Sequence, residues 1–145
     1  GAVGWRGVRA ARQAVTACQL DEDDPVIHRD GHRVYAALAT AGGRIPAARG
    51  DAEVWKAAWE VAAPQDQQEA DRGRDTWARA SHLVTDGPDP TAPREIAVPV
   101  MDGHGLAVAA LAANLPAMAD ATQIEAMAAH LRAAAAAAGR TLGHG

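Results

Sequence analysis

Six histidines, one cysteine and a Ser-His dipeptide are the residues of this chain whose types could do chemistry, and their spacing limits what they can do. His28 and His32 flank an Asp30-Gly31 turn, His82, His104 and His130 are scattered, and His144 lies at the end. No two share a helix face, so the three or more converging N, O or S ligands of a zinc site are not gathered. Ser81 and His82 are adjacent, which in a strand points them to opposite faces, and no Gly-x-Ser-x-Gly elbow surrounds Ser81. Asp102-Gly103-His104-Gly105 has the glycines of a phosphate cradle, but a strand-forming run follows where a helix N-terminus would be needed. It reads as a hairpin loop. These residues predict no catalysis, no metal and no cofactor.

Two other features bear on binding. Trp55 and Trp59, four residues apart on an Ala-rich helix, are expected to stack one above the other, each burying about 150–250 Å². They read as core or as a pocket wall. Glu95 sits among small residues on a strand, either as a solvated strand end or as the polar anchor of a small-molecule site.

The elements that must position these residues follow from periodicity and punctuation. Trp5, Val8, Val15 and Cys18 recur near helical spacing and predict a helix over 3–19, closed by the acidic run 21–24 and Pro25 as a solvated loop. Val26 to Tyr35 brackets Asp30-Gly31 and predicts a hairpin. Its two-residue turn sets Arg29 opposite His32 and Ile27 opposite Val34, with the second strand running to about Thr40. Ala41-Gly42-Gly43-Arg44-Ile45-Pro46 then breaks the pattern. A helix capped by Asp51 carries Trp55, Ala58, Trp59 and Ala62 on one face as far as Pro64. A polar helix follows to about Arg72, with Gly73 as its cap and Trp77 beyond. The proline-rich stretch 86–93 is a loop, because proline removes donors and fixes φ.

Residues 94–101 and 106–114 form the last two strands. A four-residue connection pairs Met101 with Leu106, Pro99 with Val108, Ala97 with Ala110 and Glu95 with Ala112. One face, Ile96, Val98, Val100, Ala107, Ala109, Leu111 and Ala113, is continuously apolar and calls for a packed helix. The other carries Glu95, Ala97, Pro99, Met101, Leu106, Val108, Ala110, Ala112 and Asn114, shallow in the middle and polar at one end, and predicts the floor of a concavity. The closing helix starts at Asp120, with Gln123 completing a capping box and Ile124, Met127, Leu131, Ala135, Ala138 and Leu142 as its buried stripe. Gly139 beside that stripe allows another backbone to approach.

Composition bounds the rest. The 145 residues suit one domain, and the apolar 48% is roughly half alanine with no phenylalanine, so large core side chains are scarce. Packing through small residues, and an oligomer interface, must compensate. A net charge of −4 lacks the basic stripe that phosphate binding needs, so this chain is not expected to touch DNA. The lone Cys18 fits a reducing compartment, with the cytoplasm the expected location. No leader opens the sequence, and the alanine run 133–138 is far too short to span a membrane. A start at Gly1 points to an excised or processed piece.

The run Arg94-Glu95-Ile96-Ala97-Val98-Pro99-Val100-Met101-Asp102, the returning Val108-Ala109-Ala110-Leu111-Ala112-Ala113-Asn114-Leu115-Pro116 and the long helix to Leu142-Gly143 resemble the effector-binding domain of IclR-type transcriptional regulators. The Asp30-Gly31 hairpin, Gly43-Arg44-Ile45-Pro46 and the helix through Trp55-Lys56-Ala57 resemble the same domain more weakly. The resemblance implies an α+β, GAF/profilin-like fold, an antiparallel sheet with packed helices and a pocket for a small-molecule effector, often an organic acid or an aromatic. It also implies a homodimer or tetramer, and DNA contact only through an N-terminal winged helix that this chain does not contain. The family's pocket cysteine falls on Glu95 and its two serines fall on Ala112 and Asn114, the positions that the pleat places on one face. With Ala97, Met101, Trp55 and Trp59 these are the candidate ligand-binding residues. The departures are chemical, since a carboxylate at Glu95 repels an organic acid unless it is protonated or paired, and the usual Gly-Lys reads Trp55-Lys56. The expected function is effector sensing and oligomerisation in a bacterial regulator, without enzymatic activity. The alternative is a free-standing GAF-like ligand-binding protein or small enzyme.

Overall fold

A computed structural model describes the backbone of residues 8–10, 13–18, 20–21, 24–28 and 34–142, and the side chains of 36–140. It is an α+β fold with two antiparallel sheets. The larger has five strands in the order β1 (Val8–Ala10), β2 (Gln13–Cys18), β8 (Ala107–Leu115), β7 (Arg94–Met101) and β6 (Leu83–Thr85). The smaller has β3 (Leu20–Asp21), β4 (Asp24–His28) and β5 (Val34–Ala36). The helices are α1 (Ala41–Arg49), α2 (Ala52–Glu60), α3 (Pro64–Arg79) and α4 (Ala121–Leu142). No helix among the described residues is long and apolar enough to cross a membrane.

β7 and β8 form the centre, and their alternation separates two cores. Ile96, Val98, Val100, Ala109, Leu111 and Ala113 pack against Ala128, Leu131, Ala135 and Ala138 of α4, the covering helix that the apolar face requires. Ala97, Ala110 and Ala112 point the other way and pack under Leu38, Ala41, Ile45 and Ala48 of the α1 region, with Trp77 of α3. The expected register is displaced by two residues over most of the pair: Glu95 faces Asn114, Ala97 faces Ala112 and Pro99 faces Ala110, with an irregularity between Val100 and Met101. A shift of two preserves which face each side chain occupies, so the division into two faces survives the wrong pairing as far as Val100 and Ala109, whereas Met101 faces Ala107, which was expected on the opposite face. The connection accounts for the offset. Asp102 Oδ1 accepts hydrogen bonds from the amides of His104 (2.8 Å) and Leu106 (3.0 Å), and Gly105 adopts φ +77°, which only glycine enters freely.

The capping box of α4 forms as expected: the Gln123 amide donates to Asp120 Oδ1 (2.8 Å) and the Asp120 amide to Gln123 Oε1 (2.9 Å). Gly139 does meet another backbone, because a Cβ there would collide with the carbonyl oxygen of Met101. Asp51 caps α2 by accepting from the Val54 amide (2.9 Å), and 86–93 is irregular as expected.

Five further expectations are corrected. The 3–19 region is not helical where the structure describes it; it gives β1 and β2, and β2 pairs with the edge of β8 that β7 leaves open. Val15 and Thr16 are β-branched, and a strand partner for β8 outweighs the helical spacing of the larger residues. The acidic run is not all loop, since Asp21 and Asp24 pair as β3 and β4. β4 and β5 pair with Ile27 facing Tyr35 and His28 facing Val34, one residue from the expected register, and β5 ends at Ala36 instead of Thr40, while Arg29, Asp30, Gly31 and His32 lie outside the described residues. The breaker Ala41–Pro46 is helical: three side chains supply acceptors for the first amides of α1, and Gly43 lacks the Cβ that would strike the Ala37 carbonyl oxygen. Finally α3 runs through Gly73 to Arg79. A Cβ on Gly73 would lie 2.7 Å from the Trp77 ring, so this glycine makes room for an indole inside the helix.

Candidate functional site

The face of the central sheet that turns away from α4 is built in rows. Thr85 of β6, Glu95 of β7 and Asn114 of β8 are consecutive cross-strand partners, and Leu83, Ala97 and Ala112 make the next row across three strands, with Thr16 of β2 the backbone partner of Ala112. The structure therefore brings Glu95, Ala97, Ala112 and Asn114 together on one face. Ala97 and Ala112 are fully buried beneath α1, while Asn114 is exposed at the strand end. Met101 lies on the same strand six residues from Glu95, about 20 Å away at about 3.4 Å per residue. There it receives a weak contact from Arg49 Nη1 (3.9 Å) and helps line a cavity of about 350 Å³ with Ser81, Pro99 and Arg132.

α1 stands with its first turn over the Thr85–Glu95 row. The Ala41 amide donates to Thr85 Oγ1 (3.1 Å), the Gly42 amide to Glu95 Oε2 (2.8 Å) and the Gly43 amide to Thr40 Oγ1 (3.1 Å). The first amides of any helix lack intrahelical acceptors and carry a partial positive charge, so a carboxylate here is both a hydrogen-bond partner and a favourable charge. Glu95 is accordingly part of the fold's wiring and not a solvated strand end. The cap residues Thr40 and Thr85 escape a sequence reading for different reasons. Thr40 is a standard cap type directly before Ala41 and so was detectable, but Thr85 is 44 residues from the amide it serves.

The aromatic wall differs from the expected Trp55–Trp59 stack. Trp55 packs instead against Trp77, with ring centroids 6.1 Å apart at 59°, and the Arg74 guanidinium lies 4.8 Å from the Trp55 ring centre. Trp59 turns to α3, where its indole N–H donates to Asp71 Oδ1 (3.0 Å) and its carbonyl accepts from Gln67 Nε2 (2.8 Å). Both tryptophans are half-buried against the core under α1. Arg44 was not singled out from sequence, yet it joins three elements. Its Nε donates to the Leu38 carbonyl (2.9 Å), its Nη2 reaches Glu69 (2.7 Å) and Asp66 (3.5 Å), and its guanidinium lies 4.5 Å from the Trp77 ring centre. Burial pushes the Asp66 carboxyl up, outweighing the pull of Arg44 downward, and Glu69 adds to the rise. No group of three or more His, Cys, Asp or Glu able to hold a metal ion occurs among the described residues.

Compared by sequence, the chain matches no family model and none of the curated proteins. Compared by structure, it is similar to several regulators. The inducer-binding domain of the Acinetobacter transcription factor PobR, solved as a double mutant with 3-hydroxybenzoic acid, superposes with a TM-score of 0.71 at 18% identity over 90% of each chain. The C-terminal domain of the E. coli regulator KdgR gives 0.69 at 21% identity over 92% of this chain and 89% of that one. An IclR homologue from Microbacterium hydrocarbonoxydans, complexed with 4-hydroxybenzoate, gives 0.67 at 20% identity over 83% of this chain. This chain spans about three fifths of the longer regulators it matches. The fold is that of the C-terminal, inducer-binding domains of IclR-type transcriptional regulators.

Proposed function

We propose that this domain senses a small-molecule effector on behalf of a bacterial transcriptional regulator and self-associates, as the resemblance of its β7–β8–α4 region implies. The observation that carries the reading is the match, over 90% of both chains, to a domain whose solved form holds 3-hydroxybenzoic acid. The effector site is the α1 side of the central sheet, with Ala97 and Ala112 as floor, Glu95 and Asn114 at the polar end and Trp55 and Trp59 as wall; Met101, about 20 Å along β7 from Glu95, stands apart from it. The alanine floor is covered by α1, so an effector enters by displacing α1 from the sheet. Arg44 ties α1 to α3, and movement of α1 is thereby passed to α3. A ligand that prefers the displaced arrangement biases how attached domains are held, by as much as its affinities for the two arrangements differ.

A broad metabolite screen, read by melting temperature and indole fluorescence, tests this. At least one small metabolite should raise the melting temperature and change the indole emission, and Ala112→Leu, which overpacks the floor beneath α1 at a cost of about 1–3 kcal/mol, should still fold but lose both responses. A parent protein that responds to no metabolite sinks the effector reading.

A further inference from the structure

The first turn of α1 is already occupied by an anion, and the anion belongs to the protein. Glu95 Oε2 takes the Gly42 amide at 2.8 Å, while Thr85, its cross-strand partner, takes the Ala41 amide and Thr40 takes that of Gly43. Each of these three amide donors therefore has a side-chain acceptor. Two solved neighbours hold hydroxybenzoates, whose carboxylate needs such donors and no negative charge beside it. We propose that Glu95 is the specificity residue of the effector site: its carboxylate fills the anion-accepting end of α1, so the domain excludes carboxylate effectors. Removing that carboxylate turns the same position into a site for one.

The inference rests on the effector site proposed above and narrows what it takes. A second carboxylate seated at the row of Glu95 and Asn114 would lie within several ångströms of the first. Two like charges about 4 Å apart near a protein surface disfavour binding by roughly a thousandfold. A carboxylate at this position therefore sets the charge of the ligand and not merely the shape of the pocket. An effector that suits the native site is neutral or cationic.

The test compares the full chain with Glu95→Ala and Glu95→Gln, using sodium acetate, sodium benzoate and 4-hydroxybenzoate as probes, with benzamide and sodium chloride as neutral and ionic controls. Melting temperature and calorimetric titration are the readouts. The parent should respond to the carboxylates no more than to the controls. Glu95→Ala should melt lower and regain the loss as acetate or benzoate rises into the millimolar range, whereas Glu95→Gln keeps an acceptor for the Gly42 amide, melts near the parent and shows no recovery. If Glu95→Ala does not fold alone, acetate should restore its folded circular dichroism. A parent protein stabilised by benzoate overturns the proposal while supporting effector sensing. A Glu95→Ala protein indifferent to every carboxylate, folded or not, also overturns it. Recovery of Glu95→Ala by acetate in a chain that answers no metabolite supports the assignment of Glu95 and removes the effector reading alone.

Discussion

Arg44 shows how one guanidinium replaces the large apolar side chains this sequence lacks. It joins the carbonyl of Leu38, the carboxylates of α3 and the face of Trp77, with only 12% of its side chain exposed. Arg44→Met keeps much of the stem but leaves a carbonyl and two carboxylates without their cation, and should lower stability by about 2 kcal/mol in urea unfolding followed by Trp77 emission. Asp66 adds a pH dependence of known sign. Its folded carboxyl is raised above the unfolded value near 3.8, so the folded state holds that proton more tightly. The contribution is greatest below the unfolded value and is lost as pH rises through the folded one. Asp66→Asn should therefore remove a decline in stability that the parent shows just above the ordinary carboxylate range, checked by urea midpoints across that range. Neither effect was legible in the sequence, because both depend on α1 and α3 meeting 25 residues apart along the chain.

At the scale of elements, the legible part was what local pattern controls. The two faces of β7 and β8, the caps at Asp51 and Asp120 and the covering role of α4 all follow from alternation, capping chemistry and helical spacing. The illegible part was set by distant partners. α1 is glycine-rich and contains Pro46, both unfavourable in helices, yet it forms because β6 and β7 supply acceptors to its first turn and its underside is fully buried. β2 is strand because β8 has an open edge. The candidate site divides in the same way: the shared face of Glu95, Ala97, Ala112 and Asn114 was visible in the pleat, whereas the helix end that Glu95 caps was hidden in an apparent breaker. Gly139 gives a test at this scale. Alanine is better than glycine in a helix interior by about 1 kcal/mol, but its methyl group would strike the Met101 carbonyl and push α4 off β7. Gly139→Ala should thus destabilise by about 1–2 kcal/mol net, overpacking outweighing propensity, as measured by the urea midpoint.

For the whole molecule, charge and apolar surface point to different partners. A chain of net charge −4 should not bind duplex DNA at physiological salt, and an electrophoretic shift assay with this chain alone should show no complex at micromolar concentration. Self-association is expected instead. Leu106 is 65% exposed, Met118 88% exposed, and α4 leaves Ala126, Ala129, Ala133 and Ala136 in solvent, all of them small or apolar groups. Contacts made by such groups gain from area removed from water, at about 25 cal/mol per Å², and not from paired charges. Association should therefore persist as salt is raised, since screening acts on exposed charges and leaves apolar burial intact. Sedimentation at micromolar concentration should give a dimer or larger species whose population is unchanged between low and high salt. A dimer that dissolves at high salt would place charged groups at its interface, and a clean monomer in both conditions would count heavily against a regulatory domain that acts by holding two DNA-binding partners in register.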